Sequence, residues 1–338
     1  MSKILVTGGA GYIGSHTVVA LMQAGYDVLI IDDLSNSEIR AIDGIKTITG
    51  KDPLFEQIDL TDREATAQCL RRHADINGII HFAAKKAVGE SVVRPLYYYR
   101  NNIDSMINLL ELMGDNEIQH IVFSSSCTVY GQPDQLPVTE ATPFKPAESP
   151  YGYTKQVCET ILKDTCRAQD ELCAIALRYF NPVGAHESAL IGELPRGVPN
   201  NLVPYITQTA AGKRDTLKVF GDDYDTPDGS AIRDFIHVED LAQAHVIAID
   251  RLIRGKQKNN YEFFNLGTGK GYSVLEVVKT FEKVNGFKLD YEIKSRRSGD
   301  IVKIYADTTL ANEELGWKAR RTLEEMLKSS WAWEQSLG

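Results

Sequence analysis

Tyr151 and Lys155 stand four residues apart in Ser149-Pro150-Tyr151-Gly152-Tyr153-Thr154-Lys155, and of the 15 tyrosines in the chain only Tyr151 has a lysine at that spacing. Ser149 is a favoured N-cap residue and Pro150 suits a first helical position, so a helix is predicted from Pro150 with Tyr151 and Lys155 on one face. An ammonium beside a phenol favours the phenolate, and a phenolate can take a proton from an alcohol. The same spacing suits an ordinary surface pair on an amphipathic helix, and with this many tyrosines and lysines about one such pair arises by chance. The neighbouring motifs have to decide.

Upstream, Ser124-Ser125-Ser126-Cys127-Thr128-Val129-Tyr130-Gly131 closes an apolar run. A hydroxyl there can hold an alcohol oxygen near Tyr151, or simply solvate a strand end. Near the N-terminus, Thr7-Gly8-Gly9-Ala10-Gly11-Tyr12-Ile13-Gly14 has glycines in G-x-x-G-x-x-G order between a β-branched run and a helical pattern. Gly8, Gly11 and Gly14 would let the backbone turn tightly and approach a pyrophosphate, whose charge the helix N-terminus favours. Asp32 ends the next strand, 18 residues past Gly14. A carboxylate there binds the adenosine ribose hydroxyls and repels a 2'-phosphate, which predicts NAD rather than NADP. Arg40 is the nearest base that could weaken that preference.

The elements that must position these groups follow from hydrophobic periodicity. Strands are predicted at 3–7, 27–32, 54–57, 78–82, 120–124 and 173–179, with helices at 14–24, 62–73, 97–113 and 150–167 between them. Alternation of this kind is the pattern of an α/β protein with a Rossmann-type doubly wound parallel sheet. From Asn181 the texture changes, with Pro182, Gly184, Gly192, Pro195, Gly197 and Pro199 breaking the pattern. The expected division is residues 1–180 for the dinucleotide and 181–338 for a smaller, loop-rich substrate-binding lobe, with part of 233–265 returning to the first unit.

A length of 338 residues suits two such units, and a net charge of -9 with acids and bases interspersed argues against nucleic acid or anionic membrane as partner. Any anionic ligand must be met by a few local cations. Five cysteines without a CxxC pair suit a reducing compartment. Met1-Ser2-Lys3 runs directly into Ile4-Leu5-Val6, and a soluble, cytoplasmic protein is expected. Cys69 with His73, Glu117 with His120 and His237 with Asp240 are isolated pairs, whereas metals usually take three or four ligands, so no metal is expected.

Taken in order, VTGGAGYIGSH, HFAAKKAVGES, SSSCTVYG, SPYGYTK, LRYFNPVGAH, NNLVPYI, IRDFIHVEDLA and RRSGD span the chain from Ile4 to at least Trp317. With them the chain resembles the extended short-chain dehydrogenase/reductases and, among them, the UDP-glucose 4-epimerase family. The resemblance implies that Tyr151 takes the proton of the sugar 4-hydroxyl while the C4 hydride passes to tightly bound NAD, that Lys155 lowers the phenol pKa, and that Ser126 holds the 4-oxygen. It places NAD contacts at Tyr12, Ile13, Asp32, Asp33, Leu34, Ser35, Asn36, Ser37, Asp59, Leu60, Phe82, Ala83, Ala84, Lys85, Lys86, Asn101, Ser126, Tyr151, Lys155 and Phe180. It places UDP-sugar contacts at Ser126, Tyr151, Asn181, Asn201, Leu202, Lys218, Val219, Phe220, Arg233, Arg297 and Asp300, and implies a homodimer through helices near 97–113 and 150–167. Ile304 falls where the family sets pocket width with a bulky Tyr or a small Cys or Ser, which leaves UDP-N-acetylhexosamines open as substrates. Ala84 stands where the family often has glycine. A nucleotide-sugar 4,6-dehydratase would need Asp-Glu where this chain has Cys127 and Thr128, and a non-catalytic NAD-sensing module would have no need of Tyr151 and Lys155 together.

Overall fold

The computed structural model describes residues 2–296 and 301–338, so the expected contacts Arg297 and Asp300 lie outside the described residues. The strands are β1 (Lys3–Thr7), β2 (Asp27–Asp32), β3 (Leu54–Gln57), β4 (Ile76–His81), β5 (His120–Ser126), β6 (Cys173–Tyr179), β7 (Asn181–Val183), β8 (Leu217–Phe220), β9 (Ile232–His237), β10 (Tyr261–Leu266), β11 (Gly271–Ser273), β12 (Tyr291–Lys294) and β13 (Lys303–Ile304). Seven of them form one sheet in the order β10-β6-β5-β4-β1-β2-β3, and every pairing within it is parallel.

Parallel strands are covered on both faces, which is why their sequences read as unbroken apolar runs. Ile4, Leu5 and Val6 of β1 and Leu29, Ile30 and Ile31 of β2 are all fully buried. Helices Tyr12–Gln23, Arg40–Thr49 and Val238–Ile253 cover one face through Val18, Leu21, Ile45, Leu241 and Ala248. Helices Arg63–Arg72, Ser105–Asp115 and Pro150–Ala168 cover the other through Leu70, Leu109, Met113 and Leu162. The chain starts at β1 in mid-sheet, winds out through β2 and β3, and resumes on the other side at β4. Strand order therefore reverses between β1 and β4, and the crevice at their carboxyl ends is where ligands bind in such sheets.

Beyond Asn181 connections take a larger share of the chain than in the first part, with long Pro- and Gly-containing stretches at 184–201 and 221–231, and regular elements lie between them. β9 pairs with β11, β13 and β7, and β8 pairs with β12. Helices Leu202–Ala210, Val274–Asn285 and Leu323–Ser336 enclose a core of Val203, Ile206, Phe281, Met326 and Leu327. Two of these helices open with capping boxes, Ser273 with Glu276 and Thr322 with Glu325. Within 233–265, β9 stays with the second sheet, while Val238–Ile253 packs on the first and β10 becomes its edge strand beside β6. No helix among the described residues is long and apolar enough to cross a membrane.

Two local departures matter for the site. β5 runs to Ser126, two residues past its expected end. The helix expected at 97–113 is instead Pro95–Tyr99, a π turn over Arg100–Asp104, and Ser105–Asp115. π turns inside helices recur at functional sites. This one delivers the Asn102 side chain to both Lys85 backbone atoms (2.8 and 3.0 Å) and to Thr154 Oγ1 (3.0 Å) on the Tyr151 helix.

Candidate active site

The Tyr151 helix starts as its sequence requires, with the Ser149 side chain accepting from Gly152 N at 3.1 Å and Pro150 in the first turn. Ser126 closes β5, and its Oγ accepts from Thr128 N at 3.3 Å. The Ser126 hydroxyl also acts on the Tyr151 phenol, lowering its pKa. Lys155 is only 4% exposed. Its Nζ donates to Ser124 O at 2.7 Å and lies 4.7 Å from the Phe123 ring centre and 5.9 Å from that of Tyr151.

Burial governs the charge at this cluster. Burial pushes the Lys155 ammonium down to about 8, although Cys158 and Glu159 pull it upward. Burial also pushes the Tyr151 phenol well above its ordinary value, Tyr179 adds to the rise, and Ser126 opposes it. Desolvation dominates the phenol, and the group that opposes it is the Ser126 hydroxyl. The ammonium is anchored to a strand carbonyl instead of to the phenol.

Two strands along the sheet, at the carboxyl end of β1, lies the glycine turn. Gly8 has φ +70°, and a Cβ there would sit 2.7 Å from Ala83 N, in the loop after β4. A Cβ on Gly14 would sit 2.2 Å from Gly8 O. Gly11 caps the Tyr12–Gln23 helix without any side-chain hydrogen bond, and no acid occupies the first turn. The first-turn N–H groups of that helix therefore point at an anion site that no side chain fills. Asp32 is 7% exposed and accepts from Ala10 N (3.1 Å), Leu34 N (2.9 Å) and Ser37 Oγ (2.6 Å). A carboxylate offers about four lone-pair sites, so one remains for a ribose hydroxyl. The residues present fit a dinucleotide.

The other expected cofactor positions gather around the same crevice. Leu34 takes a left-handed φ of +56°, and Asn36 lies exposed in the same loop. Asp33 has its pKa lowered by Ser35 and Lys85, against the effect of burial, and Lys85 also reaches Ser35. Asp59 is exposed and bonded by Thr61, with Leu60 buried behind it. Phe82 leans on His245, with ring centres 4.6 Å apart, and Ala84 follows in the partly buried loop. Lys86 pairs with Glu193 at 3.1 Å. Asn101 donates to Asn102, and Phe180 is buried just past β6. Tyr12 is used differently from a simple ligand contact: its hydroxyl donates to Gly184 O at 2.7 Å, tying the glycine helix to the chain beyond β7.

Of the expected substrate positions, Asn181 opens β7, and Asn201 precedes helix Leu202–Ala210 while donating to Glu193 at 2.7 Å. Lys218 is exposed on β8 and Phe220 half-buried, but Val219 is 1% exposed within the second core. Only the Val219 backbone is left to meet a ligand. Arg233 on β9 donates to Ile232 O and stands close enough to Cys127 to lower its pKa. Ile304, its register partner on β13, is 2% exposed and packed with Val129, Tyr130, Val138, Phe180 and Ala306. The position expected to set pocket width is thus held in apolar packing.

Sequence reasoning missed Arg196, Asn102, Glu159 and Arg178. Arg196 is exposed, yet its guanidinium donates to Leu34 O, Ser35 O and Ser37 O at 2.7–2.9 Å, clasping the loop that follows Asp32. No local pattern marks it, since its partners lie some 160 residues away. Glu56, Cys69 and His73 do converge, with ligand atoms within 4.8 Å of one another. Arg72 already pairs with Glu56 Oε1 at 2.9 Å, and burial pushes the Cys69 thiol up to about 11, which makes the trio an ion-paired cluster.

A family model described as GDP-mannose 4,6 dehydratase matches residues 5–330. UDP-glucose 4-epimerase from Bacillus subtilis is 52% identical over 98% of this chain and 97% of its own. The structure of UDP-glucose 4-epimerase from Bifidobacterium longum in complex with NAD+ and UDP superposes with a TM-score of 0.95 at 47% identity, covering 99% of this chain and 98% of that one. The Stenotrophomonas maltophila enzyme with bound NAD and formylated UDP-arabinopyranose gives 0.96 at 48%, covering 100% and 99%.

Proposed function

The chain belongs to the UDP-glucose 4-epimerase family, and from that premise we propose how its side chains interconvert UDP-galactose and UDP-glucose. Tyr151 is the base, supported by its place beside Ser126 at the carboxyl end of β5, on the same edge of the sheet as the glycine turn. It takes the proton of the sugar 4-hydroxyl and later returns it. Ser126 holds the 4-oxygen. Lys155, fixed by Ser124 O, supplies positive charge under the phenol ring. Because burial holds the Tyr151 phenol protonated, the site must gather cationic charge near its oxygen before the phenolate forms. NAD is the cofactor and, when bound, accepts the C4 hydride and gives it back to the other face of the sugar, so the overall reaction is redox neutral.

Arg233 is assigned to the substrate diphosphate, because guanidinium forks match phosphate oxygens and a chain of net charge -9 must meet an anion with local cations. Asn181, Asn201, Leu202 and the Lys218–Phe220 strand are assigned to the rest of UDP. Dehydration across C5 and C6 would need acids at 127 and 128. Cys127 is no substitute for a carboxylic acid there, since burial pushes its thiol up to about 12 and makes it a poor proton donor. A homodimer through helices Pro95–Tyr99, Ser105–Asp115 and Pro150–Ala168 is supported by the exposure of Leu96 (79%), Ile107 (39%) and Tyr153 (50%), and sedimentation would show it.

The test is to identify the nucleotide released from the purified protein and to assay UDP-galactose and UDP-N-acetylglucosamine without added NAD. Turnover of UDP-galactose is expected without added cofactor; strict dependence on added NAD would refute the resident cofactor. Comparable turnover of UDP-N-acetylglucosamine would extend the substrate class past the Ile304 position, and none with saturating enzyme would close it.

A further inference from the structure

We propose that the buried Arg178–Glu159 ion pair is a positioning device, setting the register between the helix that carries Tyr151 and Lys155 and the strand that carries Ser126. Glu159 lies one helical turn beyond Lys155 and is 3% exposed; Arg178 on β6 is 4% exposed. Arg178 Nε donates to both carboxylate oxygens of Glu159 at 2.9 and 3.1 Å, and Nη2 donates to Oε2. The guanidinium lies 4.1 Å from the Phe263 ring centre, and Nη1 donates to Tyr130 OH at 3.0 Å. Ser125 Oγ donates to Glu159 Oε1, and Tyr261 OH on β10 donates to Oε2 at 2.9 Å. Ser125 and Arg178 are register partners across β5 and β6.

The helix is therefore fastened to two successive residues of β5. Lys155 Nζ holds Ser124 O, and one turn later Glu159 holds the Ser125 side chain. The next residue is Ser126. Two directional links spaced along one helix fix both its rotation and its axial position against the strand, which apolar packing alone would leave freer.

Stability does not account for the pair. Desolvating two charges offsets most of their attraction, and well-packed apolar replacements of a buried pair are often neutral or stabilising. Position does account for it, since about 1 Å of misplacement between reacting groups costs on the order of 100-fold in rate. Glu159 also has the sign needed to keep Lys155 charged.

This inference rests on Tyr151, Lys155 and Ser126 being the reacting set. The experiment compares holoenzyme variants Ser125→Ala, the double variant Glu159→Leu with Arg178→Met, and Tyr151→Phe, reading melting temperature, bound NAD, and kcat and KM for UDP-galactose. The double variant is expected to keep its NAD and to melt lower than the parent only by what the Ser125 and Tyr261 hydroxyls lose with their partner, with kcat down about 10- to 100-fold and KM little changed. Ser125→Ala, which removes one link and leaves the ion pair intact, is expected to lower kcat by about 3- to 10-fold with KM little changed, beside a modest fall in melting temperature from the lost buried hydrogen bond. Parental kcat in a folded double variant overturns the proposal. If the double variant does not fold, Ser125→Ala decides alone: parental kcat overturns the proposal, and the expected fall supports it. Full activity in Tyr151→Phe would refute the base assignment, whereas an inactive Tyr151→Phe beside a fully active Ser125→Ala would refute the clamp alone.

Discussion

Lys155→Met should uncouple stability from pH in a direction that can be worked out beforehand. The folded protein holds the Lys155 pKa at about 8, against 10.5 for an unperturbed lysine, because the ammonium is buried. At 4% exposure solvent screening does not soften the effect. Between pH 8 and 10.5 the unfolded chain keeps a proton that the folded one has released. A depressed folded pKa contributes its stability above the unfolded value and loses it as pH falls through the folded value. Relative to Lys155→Met, the parent protein should thus gain about 3 kcal/mol between pH 7 and 10.5, at about 1.36 kcal/mol per pKa unit. Over 338 residues that is about 4 °C in Tm. Urea unfolding of nucleotide-stripped parent and variant, followed by tryptophan fluorescence at pH 7, 8, 9 and 10, would show most of it. The starting gap at pH 7 also carries the lost bond to Ser124 O, so the test is the change in the gap. A gap that stays constant from pH 7 to 10 would refute the burial argument, and with it the view that a charged Lys155 is held at a cost to stability.

Three further outcomes follow from the same structure. Gly8→Ala forces a left-handed φ on a residue with a Cβ, about 1–2 kcal/mol, and drives that Cβ to 2.7 Å from Ala83 N; the variant should melt lower and purify with little NAD, measured as released nucleotide. Arg196→Met removes three hydrogen bonds to the loop after Asp32 and should weaken NAD retention by about tenfold, taking about 1.4 kcal/mol as the net loss, while thermal stability changes little. His16, His81 and His237 are held near 3 and His245 near 4 by burial, so each contributes stability above pH 6.5 that is lost on acidification. By pH 5.5 each should have lost about 1.4 kcal/mol, and a urea midpoint unchanged between pH 7.5 and 5.5 would contradict their burial.

The doubly wound sheet was legible because its strands are covered on both faces, and a run such as Lys3–Thr7 or Cys173–Tyr179 carries that in its composition. β11 and β13, at three and two residues, are too short to show any period. Their existence depends on β9 being there to pair with. The elements of the second unit were less legible for a different reason. Prolines and glycines crowd 182–199 and interrupt any period there, whereas Ser273 with Glu276 and Thr322 with Glu325 do spell capping boxes in the sequence. The π turn at Arg100–Asp104 contains neither Gly nor Pro. Nothing local announces it, because its reason is Asn102 reaching Lys85 and Thr154 from another part of the fold.

The reacting pair divides along the same line. Helical spacing put Tyr151 and Lys155 on one face, and the N-cap at Ser149 set where that face begins; both are matters of a few consecutive residues. Their charge states are not. The phenol is raised and the ammonium lowered chiefly by burial, which two neighbouring side chains do not reveal. Glu159 makes the same point geometrically. It repeats the four-residue step beyond Lys155 and reads as one more acid on an amphipathic helix, until β6 brings Arg178 against it and β5 brings Ser125. Local spacing tells which groups can meet. The electrostatics that make them a catalyst are assembled from residues far apart in sequence, and only the sheet order brings those together.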